Sequence, residues 1–282
     1  MKKRRSLKDA ARDTVALMRG ARPTRDRPSV KATRFDVTAN EVFHLQDVTK
    51  SWPGEQGFTL TVPQLVIHRG EKIALVGFSG CGKSTLLDLL AMVLRPDQAG
   101  RFDFFPQNGE ALNVMDAWQH RRLSRLAHTR MLHIGYVLQT GGLFPFLSVR
   151  ENIGISRRGL GLPVDDAVES IAQRLHIERH LNKLPGQLSV GERQRVAIAR
   201  GMAHRPSVVI ADEPTASLDP INAEEILSLF NKLTDEYDVT LIMATHDWGK
   251  LGERGFRRVE FGFKQDPNRG NVHAMILGQA TD

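Results

Sequence analysis

Cysteine is almost absent. The 282-residue chain has one, Cys81, so no disulfide forms within it. A fold stapled by cross-links is excluded, and a reducing compartment is expected. Long hydrophobic runs are missing too. The longest beside a helical pattern, LLDLLAMVL (86–94), carries Asp88. It falls far short of the ~20 residues that span a bilayer. The N-terminus lacks the apolar core of a signal peptide, which points to a cytoplasmic protein. There is no internal repeat and no low-complexity block.

The body also lacks excess positive charge. Residues 1–34 hold 12 Lys or Arg against 3 Asp, a net of +9. The whole chain is +7, so the other 248 residues carry the difference, −2. The basicity belongs to the tail, which argues against a domain that coats nucleic acid.

Residues 1–40 read as a basic extension, separate from a domain over 41–282. Its first twenty residues could form a short amphipathic helix with Leu7, Ala11, Val15 and Met18 on one face. A proline-containing linker follows. The readings that stay open are a solvated tail, a reversible contact of residues 1–34 with an anionic membrane surface, or a basic arm for a partner.

Further on, apolar runs alternate with helical patterns. Strands are expected at 58–67, 72–78, 133–139, 207–212 and 239–245. Helices are expected at 83–94, 117–129, 165–176, 191–204 and 221–235. The nearly continuous apolar runs suit strands buried on both faces. Together they predict an α/β fold with a mostly parallel sheet and a small antiparallel β addition at the N-terminal side.

The stretch LVGFSGCGKSTLL (75–87) fits the phosphate-loop pattern G-x-x-x-x-G-K-[ST]. It lies between a predicted strand and a predicted helix, where the chemistry requires it. Gly77, Gly80 and Gly82 let backbone N–H groups approach phosphate oxygens. The helix start adds unpaired donors and partial positive charge. Lys83 supplies a full charge, and the Ser84 hydroxyl suits Mg2+. Cys81 is read as a small residue of this loop. Another predicted strand ends in Asp212 and Glu213. Asp212 suits Mg2+, and Glu213 suits activation of an attacking water. No acceptor-binding segment of a small-molecule kinase stands out.

LSVGERQRVAIAR (188–200) places Ser189 and Gly191 at a second helix start. With this stretch in order between the loop and the acids, residues 43–250 resemble the ATP-binding subunits of ABC transporters. The resemblance implies a P-loop NTPase core and a helical subdomain at roughly 140–205 that carries the signature motif. It implies ATP and Mg2+ as ligands. It assigns the phosphate loop to Gly77, Ser79, Gly80, Cys81, Gly82, Lys83, Ser84 and Thr85. Gln139 matches the loop that senses Mg2+ and contacts the membrane subunit. Asp212 and Glu213 match the Mg2+ ligand and catalytic base. Asp219 falls in the loop that communicates across the dimer, and His246 matches the switch histidine. Trp52 sits where an aromatic meets adenine.

The resemblance further implies a head-to-tail homodimer, with each ATP between the phosphate loop of one chain and Ser189 and Gly191 of the other. It implies separate integral membrane subunits and a place on the inner face of the cell membrane. Phe144, Pro145, Phe146 and Leu147 could dock such a subunit or pack in the protein's own core. The stretch 184–220 is similar to the group that serves lipoprotein release, macrolide export and cell division. The short span after the last strand-like runs fits that group, which lacks the C-terminal regulatory domain of many sugar importers. The alternatives are an importer subunit or an ABC-type ATPase acting on nucleic acid. Two departures stand out. Val190 and Glu192 replace the glycine and glutamine of LSGGQ, and Val190 puts a tight glycine turn in doubt.

Overall fold

The computed structural model describes residues 40–53, 57–107, 109–246, 248–265 and 272–280. The chain divides into two units, Met1–Asp36 and Val37–Asp282. The amphipathic segment expected near the N-terminus lies outside the described residues.

Among the described residues, ten strands form one sheet. They are β1 (Glu41–Trp52), β2 (Phe58–His68), β3 (Lys72–Val76), β4 (Arg101–Phe104), β5 (Leu112–Asn113), β6 (Ile134–Val137), β7 (Val208–Asp212), β8 (Thr240–Thr245), β9 (Phe256–Gln265) and β10 (Val272–Ala280). Their order is β5-β4-β1-β2-β10-β9-β3-β8-β7-β6. The block β9-β3-β8-β7-β6 is parallel. The other end is mainly antiparallel, as expected. One pairing departs from that: β10 runs parallel to β2 and so joins the two blocks.

The central parallel strands β3, β7 and β8 are largely apolar because each faces two cores. Ile73 and Leu75 of β3, Val208 and Ile210 of β7, and Ile242 and Ala244 of β8 join the cluster that holds β1 and β2. The alternating Ala74, Val209, Ala211, Leu241 and Met243 join the helical cluster on the other side. Side chains alternate across a strand, so burial of both faces needs an unbroken apolar run.

The helices are α1 (Lys83–Leu90), α2 (Val114–Gln119), α3 (Leu123–His133), α4 (Val149–Gly159), α5 (Asp165–Arg174), α6 (Val190–Met202), α7 (Pro220–Glu236) and the short α8 (Gly249–Gly252). The single helix expected at 117–129 is two. Arg121 turns left-handed at φ 53°, and Asp116 draws both His120 and Arg122 to 2.9 Å at the break. Helix α4 was not anticipated. Its start is a capping box in which Ser148 and Glu151 each bond the other's backbone, a pattern visible as S-x-x-E. Against β6, α6 packs without room for a side chain. A Cβ on Gly135 would lie 2.0 Å from the Gly201 carbonyl oxygen.

Candidate functional site

Parallel strands deliver their C-terminal ends to one edge of the sheet. Val76 of β3 pairs with Thr245 of β8, Asp212 of β7 with Ala244, and Val137 of β6 with Ala211. The residues that follow therefore emerge together, at the edge where open α/β sheets bind ligands. Gly77 follows β3, Gln139 follows β6, Glu213 follows β7 and His246 follows β8.

The loop after β3 turns into α1 through Gly82, whose φ is 98°. A Cβ there would also meet the Phe58 ring at 2.9 Å. This is a backbone that only glycine adopts readily. Lys83 then begins α1 and is buried, 5% exposed. Its ammonium donates to the carbonyls of Gly77 at 2.9 Å and Phe78 at 3.1 Å. Cys81 is buried beneath the loop, and burial raises its thiol above the ordinary range against the opposing pull of Lys83. It stays a thiol and is not poised as a nucleophile.

Glu213 leaves β7 with φ 43°, a left-handed conformation that costs an L-residue of order 1 kcal/mol. Its N–H bonds the Ala244 carbonyl at 3.1 Å. Its carboxylate lies 2.5 Å from His246 Nε2 and 3.8 Å from Lys83 Nζ. One carboxylate thus meets an imidazole within hydrogen-bond reach and, at longer range, an ammonium from another segment.

These groups line one cleft of about 480 Å3. Ser79, Gly80, Gly82, Lys83, Ser84 and Thr85 line it from the loop and the start of α1. Gln139, Asp212, Glu213 and His246 line it from beyond the strand ends, and Trp52 and Phe58 from β1 and β2. Phe58 was not anticipated as a site residue. It is the cross-strand partner of Trp52, and directly opposed residues share a face of the sheet. The hairpin signal could have found it. Trp52 is half exposed, with Lys50 Nζ 5.2 Å from its ring centre. That ammonium is fixed by Asp97 at 2.8 Å.

Ser189, Gly191 and Asp219 are elsewhere. They line a second cleft, of about 520 Å3, which shares no residue with the first. Ser189 caps α6, and its hydroxyl oxygen accepts the Glu192 N–H at 3.2 Å. Val190 is the first residue of that helix and is absent from the left-handed residues. The glycine turn that its presence put in doubt is therefore not needed. Asp219 caps α7 through the N–H groups of Ile221 and Asn222. The Asn222 amide, 2.6 Å away, is the main cause that lowers its carboxyl below the usual range.

The sequence profile of the ABC transporter family matches residues 60–216. The uncharacterized ABC transporter ATP-binding protein YbbA of Escherichia coli (strain K12) is 39% identical over 210 residues, 73% of this chain and 87% of its own. The chain belongs to the ABC transporter family. The lipoprotein-releasing system ATP-binding protein LolD of Rickettsia typhi is 34% identical, covering 74% of this chain and 90% of its own. The macrolide export ATP-binding/permease protein MacB of Syntrophobacter fumaroxidans is 36% identical over 73% of this chain, which corresponds to 28% of MacB. Among solved structures, the dimeric post-hydrolysis state of the ATP-binding cassette MJ0796 bound to ADP and Pi has a TM-score of 0.69. It is 28% identical, with 84% of this chain and 97% of that one covered. This ABC chain is an ATP-binding, ATP-hydrolysing cassette. No helix among its described residues is long and apolar enough to cross a membrane.

The donor set of the first cleft fits a nucleotide with Mg2+. The glycines leave room for phosphate, with open space beside Gly80. Among the described residues no cluster of three His, Cys, Asp or Glu side chains could hold a metal. A hard cation here would take a few protein oxygens and complete its shell from phosphate and water. Ser84, Gln139 and Asp212 offer those oxygens.

Proposed function

We propose that two copies of this chain close head to tail around two ATP molecules and drive separate integral membrane subunits in export, lipoprotein release or mechanotransmission. The observation that carries this reading is the separation of the two clefts. The phosphate loop and the capped start of α6 both suit a triphosphate, yet one chain holds them apart. A second copy supplies the missing half. The dimeric cassette MJ0796 bound to ADP and Pi supports this.

In this reading Trp52 stacks on adenine. Lys83 leaves the carbonyls of Gly77 and Phe78 for the phosphates, with N–H groups from Gly80 to Thr85 around them. Ser84, Asp212 and Gln139 would hold Mg2+, which would neutralise charge on the phosphate oxygens. Glu213 orients the attacking water and takes its proton. His246 fixes the Glu213 carboxylate and reaches the terminal phosphate. From the other copy, Ser189 donates its hydroxyl proton, because its oxygen already accepts the Glu192 N–H. Gly191 admits the phosphate closely, and Asp219 carries the signal between copies.

The membrane subunits dock on the loop after Gln139. Phe144, Pro145 and Phe146 are exposed there, Phe146 to 74%, and Leu147 is half-buried. These apolar side chains are not absorbed into the core. The buried Asn152 pins the loop by accepting the Phe144 N–H and donating to the carbonyls of Phe144 and Leu147. Such docking puts the complex at the inner face of the membrane, where the basic residues 1–34 meet anionic lipid. Similarity to LolD and MacB supports the export and release side.

Subunit mixing tests the shared site. Lys83→Ala and Ser189→Glu each inactivate ATP hydrolysis alone. Mixed, they restore roughly a quarter of wild-type activity, because half the dimers carry one intact composite site. No restoration from variants that still associate overturns the arrangement.

A further inference from the structure

Helix α6 starts with an acid. Glu192 is its third residue, at the end that meets ATP in the two-copy site proposed above, on which this inference rests. A free carboxylate there opposes a triphosphate. This carboxylate is tied back at both oxygens. Oε2 accepts the Ser189 N–H at 2.8 Å, which closes a capping box. Oε1 lies 2.8 Å from Nε2 of His180.

His180 comes from outside the helix, at the end of the short 3-10 turn Glu178–His180. It is 5% exposed, and its Nδ1 is buried with no hydrogen-bond partner. A polar ring buried with an unsatisfied nitrogen is costly. Its remaining polar atom, Nε2, is spent on Glu192 and on Arg179, whose Nε stands 3.0 Å away. The two neighbours ask opposite things of that nitrogen. Glu192 needs an N–H, and Arg179 needs a lone pair. Arg179 is exposed and lines the same cleft as Ser189 and Gly191. With its proton on Nε2, His180 donates to Glu192.

We infer that His180 is a positioning residue for the second half of the ATP site: it holds the Glu192 carboxylate away from the incoming triphosphate. The Ser189 hydroxyl and the first N–H groups of α6 are then left for phosphate oxygens. A capping box alone does not need His180, because its bonds run only between Ser189 and Glu192.

The test is steady-state hydrolysis of MgATP by the full chain. His180→Ala lowers kcat/KM about tenfold, because the carboxylate, now held at Oε2 alone, can turn its charge toward the nucleotide. Adding Glu192→Gln to His180→Ala restores kcat/KM to within roughly threefold of the parent, because no charge is left to hold back. His180→Gln, which keeps an N–H donor, also restores part of the loss. Where alanine prevents folding, His180→Phe keeps the ring volume without the donor and serves in its place. A double variant as slow as the single, or a single variant equal to wild type, overturns the inference. If His180 has no effect while subunit mixing still restores activity, only this inference falls. If mixing fails, the shared site falls first and this inference with it.

Discussion

Nε2 of His246 lies 2.5 Å from Oε1 of Glu213, across the ends of two neighbouring parallel strands. Glu213 reaches that point through a left-handed backbone, and the β7–β8 pairing fixes the distance between their loops. The carboxylate is aimed by the sheet. Glu213→Gln keeps the shape and hydrogen-bonding reach but removes the carboxylate proposed as the base. Hydrolysis should fall at least about 100-fold. ATP binding should persist, and an ATP-bound dimer should accumulate on gel filtration. Hydrolysis at the wild-type rate would remove Glu213 from the role of base.

Trp52 and Phe58 are paired across β1 and β2, and both line the cleft. An aromatic contact with a base contributes about 1 kcal/mol beyond area burial, so Trp52→Ala should raise the Kd for ATP roughly tenfold. Trp52→Tyr should recover most of it. Equilibrium titration with a fluorescent ATP analogue measures both. An unchanged Kd in the alanine variant would place adenine elsewhere.

Gly135 and Gly201 let β6 and α6 touch. Gly135→Ala drives a methyl into a backbone carbonyl that cannot move without shifting the helix. The expected loss is about 3 kcal/mol or more of unfolding free energy. Urea denaturation reads it directly, and a variant as stable as its parent would contradict the packing.

His204 is 8% exposed, and burial lowers its imidazole from 6.5 to about 4. Between those values the unfolded chain binds a proton that the folded chain refuses. Stability is therefore whole above pH ~6.5 and is lost as pH falls toward ~4. From neutral pH down to about pH 5 the loss attributable to this residue is roughly 2 kcal/mol. Denaturation of wild type and His204→Gln at both pH values should show a smaller acid loss in the variant. Equal losses would mean that the ring titrates freely in the folded chain.

The phosphate loop was legible because its chemistry is contiguous: glycines, a lysine and a hydroxyl within a few residues must meet one ligand. Most helices were legible from caps and apolar period, including the long α7, which starts at Asp219 and Pro220. Helix α4 escaped although its S-x-x-E cap was present, because the apolar stretch before it reads as loop. The pairing of β10 with β2 and β9 was not readable. The β10–β2 pairing joins segments some 200 residues apart, and nothing local in either strand names its neighbour.

By itself the sequence determined the residue types that suit a nucleotide, their order, and the strands that had to be buried on both faces. Local backbone geometry and side-chain chemistry are carried by adjacent residues, so they survive in one dimension. Only the tertiary structure decided that Glu213 and His246 touch, that Phe58 stands beside Trp52, and that His180 takes hold of Glu192. It also decided that Ser189 and Gly191 open on a cleft apart from the phosphate loop. These are distances between distant segments, and the order of strands in the sheet and the packing of helices on it set them.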